Sequence, residues 1–116
     1  MKRTSATSRE EDFEPVARLA DVPAGQLVGV AKSDGERICL ANVDGEIMAV
    51  SDICTHQDFS LCQGTLLPDA TIECAWHGAR FSLRSGKPLR FPAETSLPVF
   101  QVRVVNGAIL VGGRKL

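Results

Sequence analysis

Arg37–Ser51 reads RICLANVDGEIMAVS. Two short runs rich in Val, Ile and Leu flank Asp44-Gly45, a dipeptide that accepts the left-handed backbone of a type I′ turn. The spacing predicts strands over 37–43 and 46–51, paired as an antiparallel hairpin. Toward the C-terminus the pattern returns more strongly: VFQVRVV at 99–105, then Asn106-Gly107, then AILV at 108–111. Toward the N-terminus, QLVGVAK at 26–32 is set off from Arg37 by a turn carrying Asp34-Gly35. Shorter strands are expected at 71–74 and 80–83. No window of eleven or more residues shows helical periodicity beyond a single turn near 19–22. The expected fold is all-β, a small antiparallel sandwich or barrel.

With 116 residues, 44% of them hydrophobic, the chain suffices for one domain with a thin core. That domain is expected over 13–116. The stretch 1–12, polar and mixed in charge, reads as a disordered tail. Thirteen basic against fourteen acidic side chains leave a net charge of −1, which removes the long-range attraction on which nonspecific nucleic-acid and anionic-membrane binding depend. No apolar stretch approaches the roughly 20 residues of a membrane helix. MKRTSATSREEDFE, at the start, lacks the apolar segment of a secretory signal. A cytoplasmic location is therefore expected. In that compartment the four cysteines are expected as metal ligands or core residues rather than disulfides. A dinucleotide-binding glycine turn, a phosphate-binding Walker loop and a paired-histidine zinc motif are all missing. No catalytic residue set is apparent.

Two loops carry the chemistry. Cys54-Thr55-His56 is a C-x-H pair and Cys74-Ala75-Trp76-His77 a C-x-x-H pair, with residues 57–73 between them. Each loop offers one thiolate and one imidazole. Brought together they make a four-ligand site suited to zinc or to an iron–sulfur centre. The two histidines are the only ones in the chain, so nothing is left for a second histidine-dependent site.

CTHQDFSLCQG followed by CAWHGARFSLRSG resembles the fingerprint of the Rieske [2Fe-2S] family, with Leu61, Gly64, Gly78, Phe81 and Gly86 at fitting positions. Phe91-Pro92-Ala93 is similar to the proline loop that covers the cluster in that family. The resemblance runs from about Phe13 to the C-terminus. It implies a Rieske-like fold with a two-loop cluster-binding subdomain. One iron would be held by Cys54 and Cys74, the other by His56 and His77 through Nδ1. Neutral imidazoles leave the cluster less negative than four thiolates would, which raises its potential.

A structural Cys2His2 zinc site is the competing reading, but zinc fingers pair cysteine with cysteine and histidine with histidine, whereas each loop here mixes them. Cys39, inside RICLANV, reads as a core cysteine. Cys62 reads as a small buried filler or a fifth sulfur near the cluster. Trp76 reads as a shield over the site. Arg80, Arg84 and Arg90, like Asp52 and Asp58, read as a solvated face, with a docking patch as the alternative. The Rieske subunits of respiratory cytochrome bc complexes carry an extra cysteine in each loop, where this chain has Phe59 and Trp76. They also carry Ser and Tyr hydroxyls, where this chain has Ala79 and Phe81. Those departures imply a lower potential and argue against that subclass.

What the resemblance implies is a one-electron carrier without a catalytic site, a ferredoxin. Such carriers pass electrons from a flavin-dependent NAD(P)H ferredoxin reductase to the terminal oxygenase of an aromatic-ring-hydroxylating dioxygenase system. The expected carrier is a monomer, with no nucleic-acid or membrane partner. The alternative is the small Rieske-like subunit of an NAD(P)H nitrite reductase. Third comes a zinc-stabilised β module that mediates binding.

Overall fold

A computed structural model describes residues 13–54, 60–75 and 78–115; the expected tail 1–12 lies outside them. The described residues form strands β1 (Glu14–Arg18), β2 (Leu27–Ala31), β3 (Arg37–Val43), β4 (Glu46–Ser51), β5 (Thr65–Leu67), β6 (Thr71–Glu73), β7 (Arg80–Ser82), β8 (Pro88–Arg90), β9 (Val99–Val105) and β10 (Ala108–Arg114). They build two antiparallel sheets. One has six strands in the order β1-β10-β9-β4-β3-β2, the other four in the order β5-β6-β7-β8. The edge strands β1 and β2 of the larger sheet approach each other. Ser33 clamps that seam, donating its backbone N–H and its hydroxyl to the Glu14 carboxylate at 2.7 and 3.0 Å. The sheet thus curls nearly shut into a barrel.

The turn chemistry sets the register. Asp44 and Gly45 have φ of 53° and 96°, and Asn106 and Gly107 have 50° and 79°, the paired positive values a type I′ turn demands. Counting back from Asp44-Gly45, Val43 pairs with Glu46 and Ile38 with Ser51. Strands β3, β4 and β9 have the boundaries expected of them. The helical turn near residues 19–22 is a 3-10 turn over Leu19–Asp21. β10 continues past the expected end, through an irregularity after Val111.

β3 and β4 are apolar on both faces because both faces are covered. Ile38, Leu40, Ile47 and Ala49 point into the barrel with Phe100, Ile109 and Val111. Cys39, Ala41, Met48 and Val50 point the other way, onto a second buried cluster with Ile72 and Phe81 from the small sheet and Leu83 from the turn after β7. Each fully buried Leu, Ile or Phe contributes about 1.5–3 kcal/mol, so the small sheet is held on the barrel by packing.

Disulfides among the cysteines were not expected, and on this point the structure corrects the sequence reading. Cys39 and Cys62 are joined. Cys39 lies on the outward face of β3, against the 3-10 turn Leu61–Gln63. Their Cα atoms are 5.6 Å apart, within bridging range. Cys62 is therefore neither an inert filler nor a fifth sulfur for the cluster. A link across this sequence separation restricts the unfolded chain by roughly 3 kcal/mol.

Candidate metal centre

Both loops leave well-paired stems. At the first, Leu61 N–H donates to the Asp52 carbonyl at 2.6 Å, and Ile53 bridges Ser60. The chain that departs at Cys54 thus returns at Ser60 with its two limbs bonded. At the second, Cys74 N–H donates to the Ala79 carbonyl at 2.7 Å, and Gly78 takes a φ of +72°. Strands β6 and β7 flank this tight reversal, with Ile72 opposite Phe81.

Cys54 and Cys74 begin the two loops, are 2% and 1% exposed, and belong to one buried cluster with Leu61, Ala79 and Phe81. Neither enters the disulfide. His56 and His77 lie outside the described residues, as do Gln57, Asp58, Phe59 and Trp76. Two buried sulfurs at neighbouring loop stems, each followed in sequence by a histidine, suit a cluster ligated by both residue types. A sulfur kept from water is also kept from competing oxidation.

A buried carboxylate that the sequence reading set on a solvated face organises the first stem. Asp52 is 3% exposed. It accepts the Ser60 hydroxyl at 2.9 Å, the Cys62 backbone N–H at 2.9 Å and the Arg37 guanidinium at 3.1 Å. A buried charge needs this many donors to offset lost hydration. Asp52, Cys39 and Cys62 bring a carboxylate oxygen and two sulfurs within 4.8 Å of one another. The sulfurs are bonded to each other and the carboxylate is taken by its donors, so this trio is a structural knot. The register held the clue: the Asp44-Gly45 turn places Asp52 beside Arg37, whose carbonyl accepts the Asp52 N–H at 3.1 Å.

The three arginines after the second loop are half-exposed to exposed, and each has an acidic partner. Arg80 meets Glu73 at 2.9 Å, Arg90 meets the same carboxylate oxygen at 3.6 Å, and Arg84 meets Glu46 at 3.4 Å. Glu73 precedes Cys74, so two guanidiniums share one carboxylate next to the second stem. Gly64, which closes the first loop, backs onto the Glu73 carbonyl so tightly that a Cβ there would overlap it. The two stems are thereby pressed together. Across the Phe91-Pro92 turn, where the peptide is cis, Ala93 joins the buried cluster of Cys54 and Cys74 while Phe91 stays 76% exposed. Ala79 and Phe81 are fully buried and bring no hydroxyl to this cluster. Among the described residues no helix is long and apolar enough to cross a membrane.

The family described as Rieske [2Fe-2S] domain matches residues 12–101. The 3-phenylpropionate/cinnamic acid dioxygenase ferredoxin subunit of Escherichia coli K12 is 41% identical over 93 residues, which cover 80% of this chain and 86% of that protein. A chain in the complex of reduced oxygenase and oxidised ferredoxin of carbazole 1,9a-dioxygenase superposes with a TM-score of 0.83 at 32% identity, covering 90% of this chain and 97% of that one. The carbazole 1,9a-dioxygenase ferredoxin of Nocardioides aromaticivorans IC177 gives 0.80 at 27% identity, covering 87% and 97%. Structures assigned to nitrite reductase small subunits follow at 23% and 20% identity, which shows a shared fold alone. By its paired loops, its buried cysteines and these likenesses, the chain belongs to the Rieske [2Fe-2S] family, among the ferredoxins that carry electrons rather than catalyse a reaction.

Proposed function

We propose that this chain is the cytoplasmic electron carrier of an aromatic-ring-hydroxylating dioxygenase system, taking electrons from a flavin-dependent NAD(P)H reductase and delivering them to a terminal oxygenase. The observation that carries the reading is the pair of buried cysteines, Cys54 and Cys74, outside the disulfide and at the stems of two neighbouring loops. In this reading Cys54 and Cys74 hold one iron, and His56 and His77 the other. Residues 13–116 are the single domain and 1–12 its tail.

A Rieske cluster supplies a one-electron couple at a potential above that of all-thiolate ferredoxins. The chain's own residues do the rest. Asp52 and the Gly64–Glu73 contact keep both stems fixed, so the ligands need not rearrange between oxidation states. The buried floor of Phe81, Ala79 and Leu61 keeps water from the cysteine side. The imidazoles of His56 and His77 are the ligands with a second ring nitrogen to offer a partner, and docking is assigned to these histidines together with Gln57 and Trp76, their neighbours in sequence. A net charge of −1 suits a short-lived complex with each partner in turn.

The test is reconstitution. With NADH, a dioxygenase flavin reductase and a terminal oxygenase, product formation should depend on this protein and saturate with it. Oxygenase turnover indifferent to the protein, together with co-purification on a siroheme subunit, would transfer it to nitrite reduction.

A further inference from the structure

The disulfide lies outside the ligand set, and its two sulfurs differ in access. Cys39 is fully buried. Cys62 is half-buried and lines an open groove of about 480 Å³ with Gly29, Val30, Arg37 and Ser60. Gly29 presents only hydrogen there; a Cβ in its place would stand 3.6 Å from the Cys62 sulfur. Cys62 is thus the part-exposed member of the pair, at the groove, and Cys39 the buried one.

Cys62 also occupies a sensitive place. Its backbone N–H is bound by Asp52, and its neighbour Leu61 closes the first stem and packs with Cys54 and Cys74. The disulfide ties this turn to β3, on the barrel. Without it, the turn keeps its hydrogen bonds to Asp52 but loses its covalent link to the frame. Local opening at the stem of the Cys54 loop becomes easier.

We propose that Cys39–Cys62 is a redox-active cysteine pair, addressed by a dithiol reductant of the thioredoxin class, that controls how firmly the first loop retains the cluster. The reductant's thiolate attacks the Cys62 sulfur, a sulfur–sulfur bond to the reductant forms, and the Cys39–Cys62 bond breaks. Cys39 leaves as a thiolate and takes a proton. The reductant's second thiol then displaces Cys62 as a thiol, so one disulfide and one dithiol exchange states with two electrons transferred. This traffic is separate from the single electrons of the cluster. In a reducing compartment a disulfide reachable from solvent is of the transient or sensing kind. The inference rests on the proposed function in two respects, that the loop of Cys54 holds the cluster and that the protein works in the cytoplasm.

The experiment uses the purified full chain with its cluster, under argon, with and without reduced thioredoxin regenerated by NADPH and thioredoxin reductase. Alkylation under denaturing conditions and peptide mass spectrometry map the thiols, while visible absorbance follows cluster loss to an iron chelator. Cys39 and Cys62 should be unlabelled before treatment and both labelled after it. Cluster loss should accelerate about fivefold or more, the low end of coupling between linked sites. A Cys39→Ala/Cys62→Ala protein should lose its cluster at the faster rate whether or not reductant is present, which separates cleavage of the disulfide from direct attack on the cluster; the wild-type comparison stands without it. Labelling of both cysteines in untreated protein, resistance of the disulfide to thioredoxin, or an unchanged rate after cleavage would each overturn the proposal. A protein that shows the labelling pattern yet never carries a cluster would overturn the carrier reading and leave the thiol chemistry standing.

Discussion

Asp52 accepts the backbone N–H of Cys62 at 2.9 Å, and by that bond the limb entering the first loop holds the limb leaving it. The same carboxylate takes the Ser60 hydroxyl and the Arg37 guanidinium. Three of its contacts therefore converge on the stem that carries Cys54.

Replacing Asp52 by Ala takes the acceptor from two part-buried donors, the Ser60 hydroxyl and the Cys62 N–H, and removes a buried carboxylate. The expected loss is about 2–3 kcal/mol of unfolding free energy, measured by urea denaturation, with reduced cluster content. Arg37 is the exposed partner of the pair, so Arg37→Ala should cost no more than about 1 kcal/mol. Equal losses for the two variants would show that Asp52 acts only through Arg37.

Gly64→Ala tests the contact between the stems. The added methyl overlaps the Glu73 carbonyl, and backbone cannot yield as a flexible side chain would. A loss of about 1–3 kcal/mol is expected, with the cluster bleaching faster on dilution. Gly113→Ala is the control, since a Cβ there meets nothing within 4 Å. Thermal melts that coincide for the two variants would remove the close approach from the account.

How much of this was open to a reader of the sequence varies by residue, for physical reasons. Asp44-Gly45 and Asn106-Gly107 announce their turns because few other dipeptides accept two positive φ values, so the hairpins they join have the expected register. β1, by contrast, hides behind Pro15, which is tolerated at the sheet edge but spoils the strand pattern. β6 and β7 are no longer than β5 and β8, but Thr71, Ile72 and Phe81 are strand-favouring types. β5 reads TLL and β8 opens on Pro88, so only β6 and β7 stand out. Cys54 and Cys74 stand out as candidate ligands by their spacing to the histidines, and their burial in one cluster is what the structure adds. The Cys39–Cys62 link could not, because it depends on β3 being covered on both faces and on where the first loop returns. Asp52 was half legible: the hairpin count puts it by Arg37, but its burial comes from the later Ser60–Cys62 limb.

The missing hydroxyls should show in the potential. Ala79 and Phe81 are buried and bring no side-chain hydrogen-bond donor, so the reduced cluster's added charge lacks the stabilisation a hydroxyl there would give. The midpoint should fall toward the low end of the Rieske range of roughly −150 to +300 mV. A value above about +200 mV at neutral pH, within the upper part of that range, would contradict this. Phe81→Tyr should raise the midpoint, read by spectroelectrochemistry.

Docking at the ligand loops predicts a specific pattern of kinetic defects. Gln57→Glu and Trp76→Ala should slow electron delivery to the oxygenase while leaving the visible spectrum intact. Val105→Trp, on the exposed β9–β10 hairpin, should leave delivery unchanged. Stopped-flow transfer rates decide it: the reverse pattern would move the docking surface to the hairpin.

The most direct measurement of the central claim is pulsed EPR on the dithionite-reduced protein, which detects nitrogen bound to the paramagnetic centre. Two coordinated imidazole nitrogens are predicted, with His56→Ala destroying the native signal. A reduced centre with no coordinated nitrogen, or a colourless protein holding zinc, would contradict the assignment of Cys54, His56, Cys74 and His77 as the ligands of a Rieske cluster.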